Sequence, residues 1–172
     1  MTPTAQVIMQ IKEKRMEEIK NMDEKAERDI KLGIAAVVAT AAIPAHVNWA
    51  ATATAMGIRC VDIGACYGER LTDESGAKDL IKQFVYGAGF WFMAMHVGSK
   101  IFAAAVETTG IGYLLGASID ATVSGAFAYA IGKSAKLYFK QKALGKKVSA
   151  EEIGATTFRE CFTEYKKAHS NN

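Results

Sequence analysis

The sequence predicts an all-α protein, a bundle of about six helices whose longer members are rich in small residues. Only two prolines, Pro3 and Pro44, occur in 172 residues. Half of the residues are apolar, many of them alanine, and apolar positions recur at helical steps of three and four. Several of the 15 glycines fall inside helix-like segments rather than in turns. A chain of this size can bury a core as one domain.

Residues 1–31 are predicted to form a charged amphipathic lead helix. Residues 12–31 hold seven basic and seven acidic side chains, and Glu24 with Arg28 has the i,i+4 order that supports an exposed helix, as has Glu27 with Lys31. Balanced charge makes this segment a poor binder of anionic membranes. Its apolar residues form one narrow stripe, which indicates packing against a partner helix: Ile8, Ile11, Ile19, Met22, Ala26 and Ile30.

Residues 32–147 are predicted to form an apolar helical core. From Leu32 to Ile58 the chain carries 27 residues without a charge, but Pro44 divides this run and predicts a helical corner. His46 or Asn48 is a candidate N-cap for the next helix, which should end near Gly68. Its apolar seam has steps of four and three: Trp49, Ala53, Met56, Cys60, Ile63 and Tyr67.

The second half of the chain continues this pattern. A polar connector over residues 68–79 precedes the most hydrophobic stretch, residues 80–106, and a long helix is predicted from Tyr113 to Lys142, closed by Gly145. Ser149 and Glu152 have the spacing of a capping box, which predicts a last amphipathic helix within residues 148–172. Arg59 and Asp62 are three residues apart, which predicts a helix-surface pair.

Two sets of residues are candidate interaction sites. Glycine inside a helix costs about 1 kcal/mol relative to alanine, so its repeated use indicates close approach of helices. The predicted packing and oligomer residues are Trp49, Met56, Ile63, Gly112, Gly116 and Gly125. The second set is a lysine-rich stretch, which either complements the dipole of its helix or contacts anionic headgroups, and both interpretations stay open. Its residues are Lys133, Lys136, Lys140, Lys146 and Lys147.

The sequence offers no chemistry that predicts an enzyme, a metal or a cofactor. Gly132-Lys133-Ser134 resembles the end of a phosphate-binding loop, but it lies in a helix and residue 127 is Phe instead of Gly. The histidines lack ligand spacing, and the odd number of cysteines, three, is typical of reduced structural thiols in the cytoplasm. A net charge of +3 does not by itself indicate nucleic acid.

The layout resembles the helical domain of unknown function that accompanies many bacterial Era-like GTPases and is shared with YcjF-type inner-membrane proteins. The matching segments are Ala41–Pro44, Cys66–Glu74 and Ala126–Phe139, within a resemblance that covers residues 25–143. After Ile-Pro the family usually has a second Pro and an Asp, where this chain has Ala45 to Asn48. Because no GTPase domain is present, the resemblance implies an accessory helical module beside a GTPase encoded elsewhere, not a catalytic one.

The sequence is compatible with three functions. The first is a non-enzymatic, homo-oligomeric interaction module in the cytoplasm with conditional contact to the inner membrane. The second is an integral membrane or pore-forming protein with hairpins at Leu32–Ile58 and Gln83–Val106, against which Lys100 and Asp120 argue. The third is a carrier of a small apolar ligand, with a pocket at Phe90, Trp91, Phe92 and Met95. We expect the first.

Overall fold

The computed structural model describes residues 3–40, 45–71, 74–89, 92 and 121–169. Its elements are α1 (Pro3–Thr40), α2 (Ala45–Cys66), α3 (Glu74–Ala88), α4 (Ala121–Ala143), α5 (Ala150–Ile153), a π-helical turn (Gly154–Phe158) and α6 (Arg159–His169). The last three follow one another without a break. No strand occurs in these ranges, and the predicted all-α class is confirmed.

α1 is one continuous helix of 38 residues. Pro3 stands at its first position, where the missing N–H is not needed and the fixed φ suits a helix. The charged lead segment and the alanine-rich run after it belong to this single element, which is about 57 Å long at 1.5 Å per residue. The boundary expected between residues 31 and 32 lies inside α1.

α2 buries the seam that its spacing predicts. Four seam residues are 5 % exposed or less, namely Met56, Cys60, Ile63 and Tyr67. The side chains of Trp49 and Ala53 lie outside the described residues. Beside the seam, Arg59 Nη1 lies 3.0 Å from Asp62 Oδ2, which confirms the predicted helix-surface pair.

The helix ends follow from capping chemistry, with one correction. α2 begins at Ala45, so His46 and Asn48 lie inside the helix and neither is its N-cap. Gly68 and Gly145 have φ of 79° and 74° and close α2 and α4 as expected, since glycine enters the left-handed region without strain. Each closure has the paired backbone hydrogen bonds of a Schellman motif.

α1 lies antiparallel to α4 and α2. Along α1 the chain passes from Asp23 to Ile30, while its partners on α4 pass from Lys140 back to Gly132. The contacts with α2 have the same reversed order: Asp23 lies next to Tyr67 and Gly33 next to Arg59. A Cβ on Gly132 would lie 2.8 Å from Cγ1 of Ile30, so this glycine allows α1 and α4 to pack closely.

α3 crosses the C-terminal segment, which comprises α5, the π-helical turn and α6. At the crossing, a glycine of each element faces the backbone of the other. A Cβ on Gly87 would lie 2.8 Å from Cα of Glu151, and one on Gly154 would lie 2.9 Å from Cα of Phe84. In both cases a carbonyl oxygen would be closer still. The two backbones therefore approach to a distance that only glycine permits.

An aromatic cluster fixes the C-terminal segment on α4. The Phe127 ring lies edge-on to those of Phe158 and Phe162, with centroids 5.7 Å and 5.3 Å away, and all three side chains are fully buried. The segment begins at the predicted cap, where the Glu152 N–H donates to Ser149 Oγ at 3.4 Å. Local capping and long-range packing thus agree here.

No helix within the described ranges combines the length and apolarity required to cross a membrane. The uncharged run Leu32–Ile58 is divided between α1 and α2. In the second proposed hairpin, residues 93–106 lie outside the described residues, as does Lys100.

Candidate interaction surface

The side of α1 that packs on the other helices follows a repeat of eleven residues. Eleven residues in three turns is 3.67 residues per turn, close to the 3.6 of an undistorted helix, so the positions stay on one side throughout. The three series are Ile11, Met22 and Gly33; Arg15, Ala26 and Val37; and Ile19 and Ile30.

Burial changes abruptly along this stripe. Ala26, Ile30 and Val37 are 2 % exposed or less, whereas Ile11 is 61 % exposed. Every described side chain from 6 to 18 is exposed; that of Ile8 lies outside the described residues. We call residues 6–18 the α1 arm. The stripe that is buried against the other helices at Ala26, Ile30 and Val37 therefore continues into the arm, where its side chains are exposed.

The arm is exposed because the neighbouring helices end before reaching it. Asp23 of α1 is level with Lys140 of α4, and α4 ends three residues later at Ala143. α2 ends at Cys66, next to the residue Tyr67 that also contacts Asp23. The 13 residues of the arm extend past both ends by about 20 Å.

Large apolar side chains on the arm are open to solvent. Val7 and Ile11 are 54 % and 61 % exposed and, four residues apart, share one side of the helix. Met9 and Met16 are 46 % and 65 % exposed and lie on the other side. Val7 and Ile11 thus form an uncovered apolar pair on one side of the arm.

Just after the arm along α1, a row of ion pairs joins this helix to α4. Glu27 Oε1 accepts hydrogen bonds from Lys133 Nζ at 2.6 Å and from Lys136 Nζ at 2.8 Å. Asp23 accepts from Lys140 Nζ at 2.5 Å and, through its other oxygen, from the Tyr67 hydroxyl at 2.5 Å. We call these groups the lysine seam.

The lysine seam keeps its carboxylates ionised. Burial alone would raise the pKa of Asp23, but hydrogen bonds from Lys140 and Tyr67 outweigh it and hold that pKa below its ordinary value. The pKa of Glu27 is lowered in the same way, with burial opposed by the Lys133 and Lys136 ammonium groups. Because these groups are only partly buried, screening limits what each pair contributes to stability.

The structure divides the five lysines predicted to contact an anionic surface. Lys133, Lys136 and Lys140 belong to the lysine seam and point to carboxylates of α1. Lys146 and Lys147 are exposed in the connection between α4 and α5, beside Leu144, which is 37 % exposed. An anionic contact by any of the five stays a prediction.

The predicted packing and oligomer residues have different locations. Met56 and Ile63 are buried between α1, α2 and α4. A Cβ on Gly125 would lie 2.6 Å from the hydroxyl oxygen of Tyr165, so this glycine makes room for that ring. Trp49 lies in α2, but its side chain is outside the described residues, as are Gly112 and Gly116 altogether. The oligomer role of this set stays a prediction.

Two of the three cysteine side chains, Cys60 and Cys66, are buried, and that of Cys161 is partly buried. Cys60, Cys66 and Cys161 are free thiols, and burial raises the pKa of Cys60 to about 12. Gly132-Lys133-Ser134 lies inside α4, as the sequence indicated. The Ser134 hydroxyl is fully buried, and its oxygen has no hydrogen-bond partner within the described part of the chain.

The cavity between α1, α2 and α4 is too small for a ligand, and no metal cluster is evident in the part of the chain that the structure describes. The cavity measures about 10 Å³, room for about one water molecule. Phe92 of the proposed carrier pocket packs edge-on against Phe162, while Phe90, Trp91 and Met95 lie outside the described residues. Among described residues, no three His, Cys, Asp or Glu side chains are arranged to hold a metal.

Sequence reasoning missed the carboxylate half of the lysine seam. Asp23 and Glu27 are four residues apart and share one side of α1, and Lys133, Lys136 and Lys140 share one side of α4. Two rows of opposite charge with matching spacing were a signal for contact between these helices. Tyr67 carried no such signal, since its apolar spacing explains its position.

One comparison with known proteins identifies a relationship. A family model described as a domain of unknown function (DUF697) matches residues 5–161. No curated protein and no solved structure matches the chain.

Proposed function

The chain belongs to the DUF697 family, a domain of unknown function, and we propose that it is a non-enzymatic helical interaction module that self-associates through the α1 arm. One observation carries the proposal: the contact stripe of α1 continues past the body of the chain, and Ile11 on it is 61 % exposed. A narrow stripe on an otherwise charged helix is typical of a helix that packs on another.

Helix stability supports a partner for the arm. In proteins most helical stability comes from tertiary packing of an amphipathic face rather than from intrinsic propensity. The arm has 13 residues and no side chain buried among those described. Fully burying an isoleucine contributes about 1.5–3 kcal/mol, so covering the 61 % of Ile11 that is exposed in each of two copies would contribute about 2–4 kcal/mol in total.

Sedimentation velocity and light scattering of the full chain test this proposal. We expect concentration-dependent association in the parent. Ile11→Glu should weaken the association about 100-fold or more, since two buried contacts are lost and two charges added. Met9→Glu is the matched control: it adds the same charge two residues away, on the other side of the helix, and should leave association intact.

Comparing the two variants distinguishes loss of the stripe contact from a general effect of added charge on association. Ile11 is exposed in the single chain, so Ile11→Glu does not disturb the core. A parent that remains monomeric at high concentration would refute the proposal. Equal weakening by both variants would show that the stripe is not the contact.

An accessory role beside a separate GTPase is the finer part of the proposal, and it rests on the resemblance to domains that accompany Era-like GTPases. The test is co-expression of the chain with an Era-like GTPase encoded beside its gene. Co-purification of the two at a fixed ratio would support the role. Separate elution, together with unchanged GTP hydrolysis on mixing, would refute it.

Conditional contact with an anionic membrane is a second candidate function, favoured by Lys146 and Lys147. Both are exposed beside Leu144, which is 37 % exposed, and so combine basic charge with an apolar contact. Each basic residue near an anionic surface contributes about 1 kcal/mol. Flotation with vesicles containing phosphatidylglycerol should retain the parent more than Lys146→Glu/Lys147→Glu; equal retention, or binding to neutral vesicles, would refute it.

A further inference from the structure

We draw no further inference here: the strongest candidate, the exposed apolar patch of Leu32 on α1 and Ile58 on α2, which are 55 % and 44 % exposed beside the contact of Gly33 with Arg59, carries none because nothing in the structure shows what covers it.

Discussion

The crossing of α3 with the C-terminal segment predicts a large and specific cost for one methyl group. In Gly87→Ala, the new Cβ would lie 2.8 Å from Cα of Glu151 and nearer still to its carbonyl oxygen. Unstrained carbon contacts begin near 3.5 Å. Because the obstacle is backbone, no side-chain rotation relieves it, and the helices must separate by about 0.7 Å or more.

The size of the effect follows from two opposing terms. Overpacking of this kind costs about 1–3 kcal/mol, and movement of α3 would also loosen the fully buried Phe84. Alanine in place of glycine favours the helix by up to about 1 kcal/mol. We expect Gly87→Ala to lower the free energy of unfolding by about 2 kcal/mol, equivalent to a fall in Tm of about 4–8 °C.

Gly57→Ala is the matched control, because the same methyl group there meets no heavy atom of the described residues within 4 Å. Its expected effect has the opposite sign, a gain of up to about 1 kcal/mol from helix propensity alone. Urea unfolding at 25 °C, followed by far-UV circular dichroism, measures both variants. If Gly87→Ala proves as stable as the parent with an unchanged m-value, the close crossing is refuted.

Three further predictions concern single groups. Ser134→Ala removes a buried hydroxyl that lacks a partner among the described residues, so stability should rise by about 1 kcal/mol in urea unfolding; an equal loss would show that the hydroxyl is satisfied. Hydrogen bonds from Lys133 and Lys136 hold the folded pKa of Glu27 below its ordinary 4.5. The stability that the ionised carboxylate contributes to the fold is therefore present above pH 4.5 and is lost as the pH falls through the folded pKa. The stability difference between parent and Glu27→Gln should therefore shrink from about pH 6 to about pH 3, and a constant difference would contradict this. Burial raises the pKa of Cys60 to about 12, so a thiol reagent at neutral pH should modify it only in urea; rapid modification of the native chain would be the contrary result.

Local periodicity was sufficient to predict α2. Met56, Cys60 and Ile63 recur at steps of four and three, and that spacing by itself places them on one side of a helix, where the structure buries them. Capping chemistry was equally local: Gly68 and Gly145 end helices because few other residues adopt a positive φ without strain.

Local sequence shows the two charged rows of the lysine seam but does not show that they meet. Glu27 and Lys133 are 106 residues apart, and only the packing of α1 on α4 brings them within 2.6 Å. The glycines show the same limit. A glycine pattern indicates close approach of helices without identifying the partner: a Cβ on Gly87 would meet backbone, whereas one on Gly57 would meet no heavy atom of the described residues within 4 Å.

The eleven-residue repeat of α1 makes the reach of the arm adjustable without changing the direction in which it faces. An insertion of 11 residues between the arm and the lysine seam would move the arm outward by about 16 Å and return Ile11 to the same side of the helix. An insertion of five residues would instead rotate Ile11 by about 140° and turn it away from its present side. Insertions that come close to a whole number of turns, such as about seven or eleven residues, therefore lengthen the arm and keep its direction, whereas other insertions turn it.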